Sequence, residues 1–303
     1  MGRRGLLAAA AAAMLPIRAS AGPGRPIVIG SKSDTEGALL GNLISLVLED
    51  LGLRVERRLG LGPTLIVRSA LLAGEIDLYP EYTGNVAFFS GTETDPAWKN
   101  SAGAYGLALR LDAAHGLVWL GRAPANNTWL IAVQGRLARE RGLATMADFA
   151  GAVRNGAIRL AASTEFVESP AALPSFESAY DFSLPLSRIV SLPSGDTAVT
   201  ARAAAEGISG INAGMVYGTD GALAALDLAV MSDPTGAQIV YEPAPVIRAA
   251  TLERHPRIRE ALNPIFARLD ADTLRRLNAA ITVGGRTAEA VAKAWLAEAA
   301  SRP

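Results

Sequence analysis

The chain contains no cysteine among its 303 residues and only two histidines, His115 and His255. Without cysteine there is no disulfide, no thiolate metal site, no cysteine nucleophile and no lipid-anchoring cysteine behind an export signal. Neither histidine stands near serine or carboxylate residues in the spacing of a nucleophile elbow or a metal site. These shortages disfavour hydrolases and metalloenzymes.

Phosphate-binding loops and an excess of charge are also missing. Gly52, Gly60 and Gly62 form neither a dinucleotide fingerprint nor a Walker loop. Lys+Arg and Asp+Glu are equal at 29 each, so no net field attracts nucleic acid or an anionic membrane. Glu165 and Glu168 are more typical of solvated charges before a helix than of a catalytic pair. We therefore expect a non-enzymatic protein without cofactor or metal; an exported enzyme is the least favoured alternative.

The N-terminus has the features of an export signal. Arg3 and Arg4 form a basic start, residues 6–15 an apolar stretch, and residues 19–21 a small-residue cleavage site. The apolar stretch is short for a bilayer span, which disfavours a membrane anchor. We expect cleavage after Ala21, by a general or a twin-arginine route, and a monomeric periplasmic protein.

The length predicts two packing units, because 303 residues exceed one typical core. Apolar runs and helical spacings alternate along the chain, which predicts an α/β fold with mostly parallel sheets. Such sheets bind ligands beyond the carboxyl ends of their strands, where Ser31, Lys32 and residues 79–85 fall. The predicted elements are strands at 26–30, 53–59, 76–79, 128–133, 158–162 and 209–216, and helices at 35–51, 64–74, 170–180 and 197–206.

Two turn-rich stretches, residues 123–127 and 241–245, are the predicted crossings between lobes. They place residues 26–122 and 244–303 in a first lobe and residues 127–240 in a second. Residues 254–300 have helical periodicity, with breaks expected at Pro256 and Pro264.

One pattern occurs twice: a helix starting at threonine, a glycine stop, a strand and then a tyrosine. It runs from Thr64 to Tyr82 and again from Thr197 to Tyr217. The repeat indicates that both lobes present similar elements to one cleft, although α/β units share such punctuation without common origin.

Aromatic residues stand at the ends of strands and loops, notably Tyr79, Tyr82, Trp129, Tyr217 and Tyr241. Any one of them alone is more typical of core or rim packing. Together they indicate a cage for a trimethylammonium group, which donates no conventional hydrogen bond and is held by π faces. A ligand carboxylate would then need Lys32, Asn85 or the helix beginning near Thr35.

Six segments carry a recognisable pattern: residues 29–42, 77–85, 124–129, 165–166, 217–221 and 241–248. Together they resemble the glycine betaine/choline-binding proteins of ABC importers, the OpuAC/ProX-type family. Residues 124–129 and 169–174 look closest to the osmoprotectant-binding branch. The resemblance covers almost the whole mature chain, and it implies a two-lobed type II periplasmic binding protein with two hinge crossovers and a membrane permease as partner.

The resemblance also implies roles for individual residues. Tyr82, Trp129, Tyr217 and Tyr241 match the cage for the ammonium group. Lys32 matches a contact to the ligand carboxylate, Asn85 a position that tunes betaine against choline, and Asn127 a backbone carbonyl facing the ammonium.

Two positions depart from the family pattern. Gly37 stands where many relatives have glutamine, and Ser169 stands where they have an arginine that clamps the carboxylate. We expect Ser169 at the cleft edge, at the start of a helix in the second lobe. Losing a charge-assisted hydrogen bond weakens betaine binding by about ten- to a hundredfold. A different small cationic or zwitterionic solute is therefore the alternative ligand.

Overall fold

The computed structural model describes residues 25–193 and 197–301. The predicted signal segment, residues 1–21, lies outside the described residues. Within the described ranges, no helix is both long and apolar enough to cross a membrane.

The strands of the described chain form two five-stranded sheets. They are β1 (Ile27–Gly30), β2 (Val55–Arg58), β3 (Leu78–Tyr82), β4 (Leu117–Trp119), β5 (Trp129–Gln134), β6 (Leu160–Ser163), β7 (Ile189–Leu192), β8 (Ala213–Tyr217), β9 (Leu228–Val230) and β10 (Pro243–Arg248). The first sheet has the order β2-β1-β3-β10-β4, and the second has the order β7-β6-β8-β5-β9.

The two sheets share one topology. In the first, β1 pairs in parallel with β2 and β3, and β10 pairs antiparallel with β3 and β4. In the second, β6, β8 and β5 take the places of β1, β3 and β10 with the same strand directions. In each sheet the antiparallel strand, β10 or β5, is the first strand that the chain forms after it crosses from the other sheet. The predicted two-lobed α/β fold with mixed, mostly parallel sheets is confirmed.

Helices flank both sheets. They are α1 (Thr35–Asp50), α2 (Thr64–Ala73), α3 (Asn85–Ser90), α4 (Ser101–Ala113), α5 (Gly135–Arg141), α6 (Met146–Arg154), α7 (Thr164–Glu168), α8 (Leu173–Tyr180), α9 (Thr197–Glu206), α10 (Ala222–Ala225), α11 (Ala249–Arg254), α12 (Arg257–Phe266), α13 (Ala271–Thr282) and α14 (Ala288–Ser301). Short 3₁₀ turns lie at Pro96–Lys99, Leu186–Arg188 and Ile208–Gly210. As predicted, α2 ends at Gly74, whose φ of 76° is the left-handed conformation that glycine tolerates best.

Three local predictions are wrong. The cap of α1 is Asp34, whose side chain accepts from the Gly37 N–H at 2.7 Å, whereas Thr35 is the first helical residue. Pro264 lies inside α12, two residues before its last residue, and does not break it. The strand predicted at 209–216 begins later, because residues 208–210 form a 3₁₀ turn before β8.

Each sheet has its own core. In the first lobe α1, α12 and α14 pack on one face of the sheet, with Leu39, Leu43 and Phe266 buried there. The core of the second lobe contains Phe149, Phe166 and Phe176. Residues 120–128 and 231–242 connect the two sheets, and the expected lobe limits and hinge positions stay predictions.

Candidate ligand-binding site

A cavity of about 830 Å³ lies between the two sheets. It is lined by the loop after β1, the ends of β3 and β8, the start of β5 and residues of α13. Seven of the eight predicted binding residues line it: Lys32, Tyr82, Asn85, Asn127, Trp129, Tyr217 and Tyr241. Because β3 and β8 are equivalent strands whose carboxyl ends meet here, the cavity has the position expected of a ligand site in an α/β sheet.

Tyr82, the last residue of β3, is only 2% exposed. Its hydroxyl donates to Glu36 Oε1 at 2.8 Å, and the Lys32 ammonium lies 3.9 Å from the centroid of its ring. Burial, reinforced by the neighbouring Glu36 charge, raises the pKa of Tyr82 well above its ordinary value. Tyr82 is therefore a neutral phenol with a cation already on one face.

The other three predicted aromatics form a cluster. Trp129 at the start of β5 is opposite Tyr217 at the end of β8 in the antiparallel register. The Trp129 ring also lies 6.3 Å from that of Tyr241 and 6.2 Å from that of Phe166, centroid to centroid. Burial raises the pKa of Tyr217 to about 12 and raises that of Tyr241. The cluster therefore offers neutral, electron-rich rings to the cavity.

Glu36 is a buried carboxylate that the sequence analysis missed. It accepts hydrogen bonds from the Tyr82 hydroxyl, from Asn278 Nδ2 at 2.7 Å and from Asn127 Nδ2 at 3.3 Å. Burial raises its pKa, although hydrogen bonds from the Thr219, Tyr82 and Asn278 side chains act in the opposite direction. A glutamate in the first turn of a helix is usually a solvated charge, which is why its position gave no signal.

A second buried carboxylate, Glu81, fixes the other side of Tyr82. It accepts from the Tyr82 N–H at 2.7 Å, from Asn85 Nδ2 at 2.6 Å and from the Tyr79 hydroxyl at 2.5 Å. Burial raises the pKa of Glu81, while the nearby Lys32 charge lowers it. Tyr79, named in the sequence analysis as a possible cage member, belongs to this supporting network and does not line the cavity.

Three residues that line the cavity each have a buried polar atom without a hydrogen-bond partner among the described residues: Asn127 Oδ1, Asn278 Oδ1 and Trp129 Nε1. The Tyr217 hydroxyl lies beside the indole nitrogen but not in standard hydrogen-bond geometry. Buried polar groups are normally paired. Their concentration here indicates that the cavity is built to hold a ligand or ordered water.

Helix α13 joins the two lobes behind the cavity. Arg275 Nε donates to the Gly218 carbonyl at 2.8 Å, and Asn278 Nδ2 donates to the Thr219 carbonyl at 2.9 Å. A Cβ at Gly221 would lie 2.4 Å from the Ala279 nitrogen, so glycine is required for this close approach. None of the eight predicted site residues lies in the C-terminal helices.

Ser169 does not line the cavity. It follows the last residue of α7, and its N–H donates to the Glu165 carbonyl at 2.8 Å. The prediction that it starts a helix is wrong, because α8 begins only at Leu173. Gly37 also lies outside the cavity lining, and a Cβ there would lie 3.0 Å from the Lys32 carbonyl oxygen. Glycine at this position therefore lets the Lys32 loop pack closely on α1.

The charge of the cavity wall is acidic. Among the described residues that line it, Asp34, Glu36, Glu165 and Asp220 carry carboxylates, and Lys32 is the only lysine, arginine or histidine. A low-dielectric cleft with this balance attracts a positively charged group.

The sequence matches the family described as "Substrate binding domain of ABC-type glycine betaine transport system" over residues 25–298. The chain belongs to this family. Within the glycine betaine substrate-binding family it is 49% identical to the glycine betaine-binding protein YehZ of Escherichia coli, over 96% of this chain and 95% of the relative. It is 30% identical to a glycine-betaine-binding protein of Pseudomonas aeruginosa, over 89% of this chain and 86% of the relative.

The fold agrees with that of a family member. The solved structure of apo YehZ from Escherichia coli superposes with a TM-score of 0.79 and 50% identity, covering 90% of this chain and 98% of that one. The family assignment thus covers both lobes and the cavity between them.

Proposed function

We propose that this protein is the periplasmic solute-binding component of an ABC importer and captures a quaternary-ammonium osmolyte, glycine betaine or choline. The observation that carries the proposal is the cavity between the lobes, where Tyr82, Trp129, Tyr217 and Tyr241 meet in an acidic environment. The names of its relatives support the ligand class.

The aromatic rings suit the ammonium end of such a ligand. A trimethylammonium group is large, positively charged and without N–H donors, so π faces hold it better than hydrogen-bond acceptors do. Each face contributes roughly 0.5–2 kcal/mol, depending on how far water is excluded. Tyr82, Tyr217 and Tyr241 are neutral at physiological pH, because burial raises their pKa values above the ordinary value of 10, and a neutral phenol keeps its hydroxyl as a donor.

The unpaired polar atoms suit the rest of the ligand. Trp129 Nε1 is a donor that suits a carboxylate or hydroxyl oxygen, whereas Asn127 Oδ1 and Asn278 Oδ1 are acceptors that suit a positive or hydroxyl-bearing group. Choline carries a hydroxyl and glycine betaine a carboxylate. We propose that either occupies the cavity with its ammonium against the rings.

In this function the protein binds and releases the osmolyte and does not convert it to a product. The two lobes would close over the osmolyte by bending near residues 123–127 and 241–245, and the closed monomer would deliver it to a membrane permease. Conversion of any bound compound to a product would contradict this part of the proposal.

Isothermal titration calorimetry on the mature protein, with glycine betaine, choline, carnitine, ectoine and proline, tests the ligand class. Glycine is the matched control, because it is glycine betaine without the three methyl groups and retains N–H donors. We expect binding of at least one quaternary-ammonium compound and none of glycine. Binding of glycine or proline in preference to every quaternary-ammonium compound would overturn the proposal.

A further inference from the structure

Lys32 occupies the ring face that the proposed ligand would need. Its ammonium lies 3.9 Å from the Tyr82 centroid, well within the distance of a cation–π contact. Tyr82 belongs to the buried core of the first lobe and is 2% exposed, so its other face is covered by protein. A ligand ammonium can therefore reach Tyr82 only from the side where Lys32 lies.

The surroundings hold Lys32 in this position without a strong ion pair. Asp34 Oδ2 lies 3.9 Å from Lys32 Nζ, too far for a hydrogen bond, and the Lys32 side chain is 15% exposed. The backbone is better fixed: the Lys32 carbonyl accepts from the Ser31 hydroxyl, and α1 packs against it at Gly37. The ammonium is thus placed by its own loop and attracted by the Tyr82 ring and by the charge of Glu81.

We propose that Lys32 is a displaceable internal cation that determines ligand specificity: it fills the Tyr82 face in the free protein and must leave it when a quaternary ammonium binds. This inference rests on the proposed function. Two cations within about 6 Å of one ring centroid repel each other, so both cannot use the same face.

The consequence differs between the two ligands. A ligand with a carboxylate gives the displaced ammonium a new partner, and a charge-assisted hydrogen bond compensates for the lost π contact. Choline has no carboxylate, so displacement by choline is uncompensated. Lys32 therefore selects for zwitterions in a cavity whose other charges are acidic.

Displacement can be observed directly, because the chain has only three lysines: Lys32, Lys99 and Lys293. A CεH₂ group over a tyrosine face has proton resonances shifted upfield by the ring current. In protein with ¹³C-labelled lysine we expect one shifted CεH₂ signal, absent in Lys32→Ala, that returns to the usual position on saturation with glycine betaine or choline. A signal that stays shifted in the saturated complex would overturn the inference.

Calorimetry measures the effect on specificity. Lys32→Ala should tighten choline binding by roughly 2- to 30-fold, the range of one cation–π contact. It should also lower the ratio of choline Kd to betaine Kd by about 10- to 100-fold, since only betaine loses a charge-assisted partner. Lys99→Ala is the matched control, because Lys99 is an exposed lysine outside the cavity lining.

The outcomes separate the two proposals. If neither the wild type nor Lys32→Ala binds either compound, the proposed function fails. If the wild type binds but Lys32→Ala leaves choline affinity unchanged or weaker, only the role of Lys32 fails. Lys32→Ala could tighten choline binding while the wild-type Lys32 CεH₂ signal is either unshifted in the free protein or unchanged on saturation. The tighter binding would then come only from removing a positive charge near the cavity, and the inference that Lys32 is displaced would be wrong.

Discussion

The two lobes have the same strand order but different chemistry at equivalent positions. Tyr82 and Tyr217 end the equivalent strands β3 and β8 and both reach the cavity. Tyr82 is buried between two carboxylates, Glu36 and Glu81. Tyr217 is half-buried beside Trp129, and its backbone N–H donates to Asp220 Oδ2 at 2.7 Å.

This difference indicates that the two lobes use equivalent tyrosines in different ways. The first lobe surrounds its tyrosine with hydrogen bonds that fix the ring, and α13 extends the same network to the turn after β8. The second lobe contributes ring surface that is packed but less constrained. Repeated topology therefore brings two similar side chains together without giving them the same function.

Matched alanine substitutions should produce the largest difference. Tyr82→Ala should lower the free energy of unfolding by about 3–5 kcal/mol, because it leaves a cavity in a closed core and removes a donor from Glu36. Tyr217→Ala should cost less, about 1–2 kcal/mol, because the site is half-buried. Both should weaken ligand binding. Urea unfolding followed by circular dichroism measures the two values, and equal or reversed losses would break the comparison between the lobes.

The pH dependence of stability should also differ between the lobes. Burial raises the pKa of Glu36 above its ordinary value of 4.5, so the folded protein holds this proton more tightly than the unfolded chain does. Stability from this group is then highest below pH 4.5 and falls as pH rises through the raised pKa. In the second lobe, the Thr145 hydroxyl and two backbone N–H groups lower the pKa of Asp148 below 3.8, and its contribution is lost as pH falls.

Glu36→Gln and Asp148→Asn test these signs. Glu36→Gln should flatten the decline of the urea midpoint above pH 4.5. Placing an amide among the hydrogen-bond donors to Glu36 adds a cost, but that cost does not change with pH. Asp148→Asn should flatten the decline on the acidic side. A Glu36→Gln profile parallel to that of the wild type across the whole pH range would show that Glu36 does not titrate as its burial requires.

Sequence patterns predicted the fold well and placed the aromatic residues of the cavity close together, for a local reason. Periodicity and turn residues located α2 and α9, and the ends of strands placed Tyr82, Trp129 and Tyr217 at one edge. The repeated pattern ending at Tyr82 and Tyr217 corresponds to a repeated strand order. These features depend on residues close together in the chain.

The rest of the site depends on contacts that no local pattern contains. Asn278 meets Glu36 across 242 positions of sequence, and only folding reveals that the Glu36 carboxylate is buried. For Ser169 the sequence predicted a site residue that the structure does not place in the cavity. The resemblance put it at the start of a helix, whereas it follows the end of α7. Lys32 was correctly placed in the cavity, but its contact with Tyr82 depends on the packing of its loop against Gly37.

A smaller effect should come from the contact between the first lobe and Tyr241. A Cβ at Gly84 would lie 2.7 Å from the Tyr241 ring, so Gly84→Ala must move that ring away from its position beside Trp129. The Gly84 backbone has φ −64°, so alanine brings no backbone strain. We expect choline affinity to fall roughly 2- to 30-fold, the value of one ring face.

Gly106→Ala is the control for this change. Gly106 lies within α4 and nothing lies within 4 Å of its added Cβ. Alanine there should leave affinity unchanged and stabilise the helix by about 0.5–1 kcal/mol. If Gly84→Ala also leaves affinity unchanged, Tyr241 is a packing residue and the cage has only three members.

The smallest effect should follow removal of the Tyr217 hydroxyl. Tyr217→Phe keeps the ring face, and the Trp129 indole N–H beside it already lacks a hydrogen bond of standard geometry. We therefore expect choline affinity to change by less than about twofold. Tyr217→Leu, which keeps apolar bulk but removes the π face, should weaken binding by roughly 2- to 30-fold. Calorimetry on the two variants separates ring from hydroxyl. If Phe weakens binding as much as Leu does, the hydroxyl contacts the ligand, and the second lobe supplies polar recognition as well as aromatic surface.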